Sequence, residues 1–409
     1  MTSKINIHHE ADVMVITVNN PPINAGSTEV RKGLLDAIAQ LRDDPKSSAA
    51  VIIGGGNTFI AGSDIKEFSQ PLAEPHLPTV ISAIENCPKP VVCALHGAAL
   101  GGGFELALGC AARIALEGAV VGLPEVTLGI IPGAGGTQRL PRLIGIEKSI
   151  ELICAGARIK ADEALKLGII SKLVKEDLLG NAVQFARSLI GHKTRIRDIA
   201  APNAEPSSVL AASQKALKAA KNRPNAHKAI EIIANAMILP IDQGLAIERE
   251  VFQELRVATE AKALRHQFFA ERKLFKALGA EEQKPKVIER VAVIGSGTMG
   301  SGIAMACLSA GYSVLILDQN DLALANGAKK VSDFYGSRVK AGKMAAEKAS
   351  AILKNFTYST QWADIASADL IIEAVFEDME VKHVVFEKIE EYASPTALLA
   401  SNTSYLDID

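Results

Sequence analysis

The segment Gly295-Ser296-Gly297-Thr298-Met299-Gly300 constrains the fold of this 409-residue chain more than any other. It follows the apolar run Val291-Ala292-Val293-Ile294 and opens a helical stretch reaching Ala310; after a glycine break comes Val314-Leu315-Ile316-Leu317-Asp318. A Gly-x-Gly-x-x-Gly alone says little. Between a strand and a helix, with an acid closing the second strand, it is the turn of a strand-helix-strand unit suited to a dinucleotide. Gly295 and Gly297 allow the turn and the close approach of a pyrophosphate, Gly300 lets helix and strand pack, and Asp318 is placed for the adenosine ribose hydroxyls. Gln319 and Asn320 follow without an arginine, which favours NAD over NADP. The competing reading is a glycine turn that holds no nucleotide.

The first half carries two glutamates in glycine-rich surroundings. Glu105 lies in Gly101-Gly102-Gly103-Phe104-Glu105-Leu106-Ala107-Leu108, and Glu125 opens a segment that runs through Pro132-Gly133-Ala134-Gly135-Gly136-Thr137. Before the first, Pro90-Val91-Val92-Cys93-Ala94-Leu95-His96-Gly97 reads as a buried strand; after it, Leu106, Cys110 and Arg113 are spaced along a helix interrupted only by Gly109. A helix start after a tight turn offers unpaired N–H donors to an oxygen that gains negative charge. A second donor is expected in Phe59-Ile60-Ala61-Gly62-Ser63-Asp64-Ile65, where Gly62 lets the chain turn and Asp64 caps the next helix. The pair reads as acid/base chemistry on a polarised carbonyl. The bland alternative, a surface helix residue and a loop residue, fits poorly with an acid set among Gly, Leu and Ala.

Composition narrows the class. With 48% hydrophobic and 22% charged residues the chain reads as a soluble globular protein of two or three domains. A net charge of −2 and 4% aromatic residues speak against nucleic-acid binding. Cys87, Cys93, Cys110, Cys154 and Cys307 form no close pair and read as reduced core thiols, so no zinc site is expected. Met1-Thr2-Ser3-Lys4-Ile5-Asn6 has neither the charge nor the apolar core of a secretion signal, and the most apolar region, Val91 to Ala112, is broken by Glu105 and glycines and is no membrane span.

Val13 to Val18 reads as a strand, Glu29 to Leu41 as a helix, Val51-Ile52-Ile53 as the start of the next strand and Arg113 to Leu116 as another, an α/β alternation. From Lys160 to Lys276 the pattern is helical and the strands stop; Leu264 and Phe268, four apart, mark a helix packed on one face. Glu281-Glu282-Gln283-Lys284-Pro285-Lys286 reads as a solvated linker.

From Val13 to Val174 the chain resembles the enoyl-CoA hydratase/isomerase, or crotonase, family, through Ala61-Gly62-Ser63-Asp64-Ile65, the triple glycine ending in Glu105, and Pro124-Glu125 followed by the stretch to Gln138-Arg139-Leu140. The resemblance implies a spiral of strand-strand-helix turns. It also implies an acyl-CoA thioester whose oxygen is held by the amides of Ser63 and Gly102, with water activated mainly by Glu105 and a proton delivered by Glu125. Family members often carry alanine where this chain has Ser63; the donor is main-chain, so it survives the change. Having both glutamates favours hydration over thioester hydrolysis or decarboxylation.

From Val291 onward the chain resembles the nucleotide domain of 3-hydroxyacyl-CoA dehydrogenases, through Gly295 to Gly300, Ile371-Ile372-Glu373-Ala374-Val375-Phe376-Glu377 with Lys382, and Ser401-Asn402-Thr403-Ser404. Met299, Val375, Glu377, Lys382 and Ser404 are then expected to line the cofactor or the reacting hydroxyl. The order of parts, including the connector Phe268-Phe269-Ala270-Glu271-Arg272-Lys273, is that of multifunctional β-oxidation enzymes. The expected architecture is α/β: a crotonase-type ββα spiral over residues 1–190, a helical connector over 191–285, and a Rossmann-type parallel-sheet NAD-binding domain over 286–409.

The resemblance implies hydration of trans-2-enoyl-CoA, Δ3-to-Δ2 isomerisation, and NAD-dependent oxidation of the 3-hydroxyacyl-CoA product, with NAD as cofactor and coenzyme A as part of the substrate. The family's catalytic histidine lies beyond the Asn402-Thr403-Ser404 segment, so the chain is expected to be a piece of a longer protein that binds NAD and reduces it slowly. Of the eight histidines only His383 falls in the nucleotide half. The alternative is a hydratase whose second half is a non-catalytic nucleotide-binding or structural module. The expected compartment is the cytoplasm for a bacterial source or the peroxisome for a eukaryotic one, with no membrane insertion and an open oligomeric state.

Overall fold

The computed structural model describes residues 4–277 and 285–407. Residues 281–284 of the linker segment and Met1-Thr2-Ser3 lie outside them. Two compact units divide the chain, residues 1–278 and 279–409.

The first unit opens with an antiparallel pair, β1 (Ile5–Glu10) and β2 (Val13–Val18), then α1 (Thr28–Asp43), β3 (Ala49–Gly54) and α2 (Leu77–Asn86). Twice the chain then lays down two strands before turning helical: β4 (Val91–Leu95), β5 (Ala98–Leu100) and α3 (Gly102–Gly109), followed by β6 (Ala112–Leu116), β7 (Val120–Gly122), α4 (Gly136–Ile144) and α5 (Ile146–Ala155). β8 (Arg158–Lys160), α6 (Ala161–Lys166), β9 (Lys172–Val174) and α7 (Leu178–Ser188) come next. Helices α8 (Pro206–Ala219), α9 (Pro224–Asn235), α10 (Ile241–Val257) and α11 (Thr259–Ala277) end the unit.

The strands sort into a sheet of order β1-β2-β3-β4-β6-β9, parallel except for the first pair, and a small sheet of order β5-β7-β8. Each ββα turn therefore gives one strand to each sheet, which is the spiral expected from the resemblance. Both faces of the middle of the large sheet, β2 to β6, are buried, and β2, β3 and β4 read as near-unbroken apolar runs for that reason. Met14, Ile16, Ile52 and Cys93 face the main core, while Val13, Val15, Val51 and Val92 face Leu178, Ala182, Val183 and Ala186 of α7.

Two expectations need correction. Strands do not stop at Lys160: β9 pairs with β6 through Ile114↔Lys172 and Leu116↔Val174, and three residues are too few to show alternation. The helix carrying Glu105 ends at Gly109, and Arg113 belongs to β6. Its guanidinium donates to the Ala107 and Cys110 carbonyls at 3.3 and 3.1 Å, closing the helix from the next strand. The packed stripe of α11 is Ala261 and Arg265, both buried, with Leu264 and Phe268 half-buried beside it.

The second unit contains β10 (Arg290–Ile294), α12 (Thr298–Ser309), β11 (Ser313–Leu317), α13 (Asp321–Lys340), α14 (Ala346–Leu353), β12 (Phe356–Ser359), β13 (Leu370–Glu373), α15 (Met379–Tyr392) and β14 (Leu398–Ser401). Its sheet is all parallel in the order β12-β11-β10-β13-β14. The order reverses between β10 and β13, and in such sheets ligands bind beyond the strand C-termini at that point.

A buried ion pair ties the C-terminal edge together. Lys382 Nζ lies 2.8 Å from both carboxylate oxygens of Glu373, side chains 4% and 0% exposed, and the Ser401 hydroxyl donates to the same carboxylate at 2.6 Å. Removing one partner strands the other without water. Lys382→Met should lower the stability of this unit by about 3–5 kcal/mol, and adding Glu373→Leu should recover most of it. Trp362, the only tryptophan, lies in this unit, so its fluorescence in urea reads the midpoint; a single variant as stable as wild type would refute this account.

Candidate active site and nucleotide site

In the first unit the two sheets bring distant loops side by side. The Leu100 amide donates to the Ile60 carbonyl at 3.1 Å, and the Gly101 amide to the Gly122 carbonyl at 2.9 Å. Gly62 has φ +115° and Gly101 φ +50°, conformations that a side chain would strain. Ser63 and Gly102 are thereby neighbours: a Cβ on Gly102 would lie 2.3 Å from the Ser63 hydroxyl oxygen. Among the described residues neither of their amides donates to a protein acceptor. Asp64 caps the following turn by accepting from the Lys66 amide at 3.1 Å.

Glu105 sits in the first turn of α3, and Glu125 opens a short 3-10 turn at the end of Pro124. Both are buried, and with Ser63 they line one cleft, together with Phe68, Leu77, Gly133, Ala134, Arg249 and Phe252. Oε1 of Glu105 accepts the amides of Ala134 at 2.7 Å and Gly136 at 2.9 Å. One oxygen of Glu125, Oε2, is buried with no hydrogen-bond partner among the described residues. Their proton affinities separate accordingly. Burial raises Glu105, but the two amides and the guanidinium charges of Arg139 and Arg249 pull it back. Glu125 is raised much further, by burial and then by the charge of Glu105. Of the two, Glu125 holds a proton the more tightly.

Two contributors to this cleft, Arg249 and Phe252 of α10, were missed in the sequence. So was Glu248 of the same helix, 1% exposed, which lies outside the cleft lining and accepts the Gly135 and Thr137 amides. The signal was present: Gly244, Glu248, Val251, Phe252 and Leu255 form the buried stripe of the helix, and an acid in such a stripe needs a partner. Glu85 and Arg139 form a second buried pair, with two contacts of 2.8 Å, and Arg139 also donates to the Ala134 carbonyl at 3.0 Å.

In the second unit the glycine motif occupies the β10–α12 turn. Gly295 has φ +104°, and a Cβ there would stand 2.6 Å from the Ala374 carbonyl. A Cβ on Gly300 would strike the Gly295 carbonyl at 1.9 Å, whereas one on Gly297 would meet nothing within 4 Å. The motif thus packs tightly at Gly295 and Gly300 and stays open at Gly297, where a pyrophosphate needs access to the N-terminus of α12. Asp318, Val375, Trp362, Val381 and Val384 line an adjoining cavity. The Asp318 carboxylate accepts from the Ser296 amide and hydroxyl at 2.8 and 2.6 Å and from the Asn320 amide at 3.1 Å. Burial opposes its charge, but these donors outweigh burial and hold it below the usual range. The residues present fit NAD.

Met299 is 56% exposed in the first turn of α12, apart from that cavity wall. Glu377, Lys382 and Ser404 meet in one network. Glu377 accepts the Thr403 hydroxyl at 2.6 Å and the Ser404 amide at 2.9 Å, and lies 3.1 Å from Lys382; the Thr403 hydroxyl leads in drawing its pKa down to about 2. Lys382 is buried between Glu373 and Glu377, so its charge is already engaged. Among the described residues no cluster of His, Cys, Asp and Glu is arranged to hold a metal ion, and no helix is long and apolar enough to cross a membrane.

Comparison with known proteins agrees with both halves. Residues 8–231 match the family Enoyl-CoA hydratase/isomerase, and residues 290–409 match 3-hydroxyacyl-CoA dehydrogenase, NAD binding domain. A peroxisomal bifunctional enzyme of Danio rerio is 40% identical over 97% of this chain and 56% of its own length. A peroxisomal fatty acid beta-oxidation multifunctional protein of Arabidopsis thaliana is 38% identical over 100% of this chain and 60% of its own. The chain thus spans little more than half the length of these relatives. For the fold, an enoyl-CoA hydratase/isomerase structure from Pseudoalteromonas atlantica superposes with a TM-score of 0.50 at 24% identity, covering 66% of this chain and 97% of that one. By its match over residues 8–231 the chain belongs to the enoyl-CoA hydratase/isomerase family.

Proposed function

We propose that the first unit hydrates trans-2-enoyl-CoA to 3-hydroxyacyl-CoA and isomerises Δ3- to Δ2-enoyl-CoA, and that the second binds NAD for oxidation of the hydroxyacyl product. The observation that carries this reading is a pair of buried carboxylates of unequal proton affinity on one cleft, beside two unengaged amides. The Ser63 and Gly102 amides are suited to the thioester oxygen and to the charge it gains as the enolate forms. Glu105, kept ionised by the Ala134 and Gly136 amides, takes a proton from the water that attacks the β-carbon; Glu125 gives its proton to the α-carbon. Isomerisation needs one carboxyl moving a proton between the γ- and α-carbons, a role that suits Glu125.

In the second unit Gly295, Gly297 and the N-terminus of α12 would hold the pyrophosphate, and Asp318 the ribose, with Val375 on the cavity wall. NAD, when bound, supplies a hydride acceptor. Glu377, Lys382 and Ser404 order the segment that follows β14. The names of the relatives support fatty-acid β-oxidation, and a peroxisomal location for a eukaryotic source. Acyl-CoA thioesters are the partners that the family implies.

Glu105→Gln and Glu125→Gln should each fold and lose roughly 10²–10⁴ in turnover of crotonyl-CoA, the usual scale for general acid/base groups. Isomerisation of a 3-enoyl-CoA should survive Glu105→Gln better than hydration does. Wild-type hydration by the double variant would sink the assignment.

The pH dependence follows from the same pair. Falling pH protonates the Glu105 base, rising pH removes the Glu125 proton, and both pKa values lie above the ordinary carboxylate range. A plot of kcat/KM against pH should therefore be bell-shaped, with its acid limb above the range of an ordinary glutamate. A profile flat through that region would contradict the assignment.

Trp362 lines the nucleotide cavity, so NAD binding should change its fluorescence. Asp318→Ala should raise the Kd for NAD roughly tenfold to a hundredfold, the scale of hydrogen bonds to a charged group. An unchanged Kd would show that Asp318 does not hold the ribose.

A further inference from the structure

The segment from Gly133 to Thr137 is held from two sides. Ala134 and Gly136 turn their amides to Glu105, at 2.7 and 2.9 Å. The residues between and after them, Gly135 and Thr137, turn theirs to Glu248, at 2.5 and 2.9 Å, and the Thr137 hydroxyl adds a third contact at 2.5 Å. One short stretch of backbone thus presents alternate N–H groups to two buried acids. We propose that Glu248 is a positioning residue for Glu105: by accepting the Gly135 and Thr137 donors it keeps the Ala134 and Gly136 amides aimed at the carboxylate that takes the water proton. The proposal rests on the hydratase reading above.

The carbonyl side of the segment is held as well. Arg139 donates its side chain to the Ala134 carbonyl at 3.0 Å, Arg249 reaches the Gly133 carbonyl at 3.4 Å, and the Gln138 and Arg139 amides donate to the Gly135 carbonyl at 3.2 and 2.8 Å. Gly135 has φ +107°, where a side chain would also run into the Arg139 guanidinium, so the turn that sends alternate amides to opposite sides depends on glycine. Glu248 is 1% exposed and has no other hydrogen-bond partner among the described residues. Glu105, Glu125, Arg139 and Arg249 are the charged groups that surround the segment, with Glu85 behind Arg139. Burial first, then the charge of Glu105, pushes Glu248 up to about 8.

Glu248→Gln keeps the size of the side chain but replaces one accepting oxygen with an NH₂ group, which must face either the Gly135 amide or the Thr137 donors. One of them is expelled, the alternation breaks, and Glu105 loses amides that hold its proton affinity down. In the full chain, kcat for crotonyl-CoA should fall about tenfold to a hundredfold while KM stays within about twofold, since the Ser63 and Gly102 amides do not touch Glu248. The acid limb of the pH–rate profile should move to higher pH, and hydrogen exchange of the 133–137 peptide should quicken against an unchanged background. Thr137→Val removes the hydroxyl contact to Glu248, and with it the acceptor of Gln138 Nε2, but leaves both amides on Glu248, and should move all three readouts the same way by less; if Glu248→Gln fails to fold, this variant decides. Wild-type kcat, profile and exchange in the folded variant would overturn the proposal, as would a loss of kcat with unchanged exchange. A wild-type chain that hydrates no enoyl-CoA would instead overturn the hydratase reading, and the exchange comparison would still decide whether Glu248 holds the segment.

Discussion

A carboxylate enclosed by Leu, Ala and Phe side chains has lost its water, and at Glu105 the Ala134 and Gly136 amides stand in for it. This substitution explains why the Gly133–Thr137 stretch is so rich in glycine: several amides must approach from a bend and the first turn of α4. It also explains the inequality between the two acids. Glu125 has no such donors for its buried oxygen and faces the charge of Glu105 across the cleft, so it keeps its proton. The proposed division of labour between base and acid rests on where the amides point.

Local demands of the backbone were legible in the sequence. Gly62 and Gly295 announce turns and Gly300 announces close packing, and their local settings place them without reference to the rest of the chain. Glu105 and Glu125 stood out because the acids sat among residues that exclude water. Partners that meet across long stretches were not legible. Glu248 reaches Gly135 over a separation of 113 residues, and nothing near either residue names the other. The same holds for β9, which exists because β6 offers an open edge and whose own three residues show no preference. Arg113 was read both at helical spacing after Glu105 and as the start of a strand; its backbone belongs to the strand, while its side chain closes the helix.

The second unit uses buried charge differently. Glu373 and Lys382 neutralise each other, and Ser401 and the Val375 amide satisfy the remaining acceptor sites of Glu373, so the network is closed. In the first unit the acids are left partly unsatisfied and their proton affinities spread apart. A closed network resists change and suits a frame for the strand ends; an open one responds to a proton or a ligand.

The packing of Phe252 over Gly133, with its ring 2.3 Å from where a Cβ would stand, has a consequence for how such chains are inherited. The stretch that matches the family ends at residue 231, yet the wall of the cleft continues into α10. A recombination joint placed at that segment's end would carry away the glutamates without Arg249 and Phe252 and leave a furrow open to water. The heritable unit of this chemistry is therefore longer than the stretch of sequence by which it is identified, and joints compatible with function fall after α10.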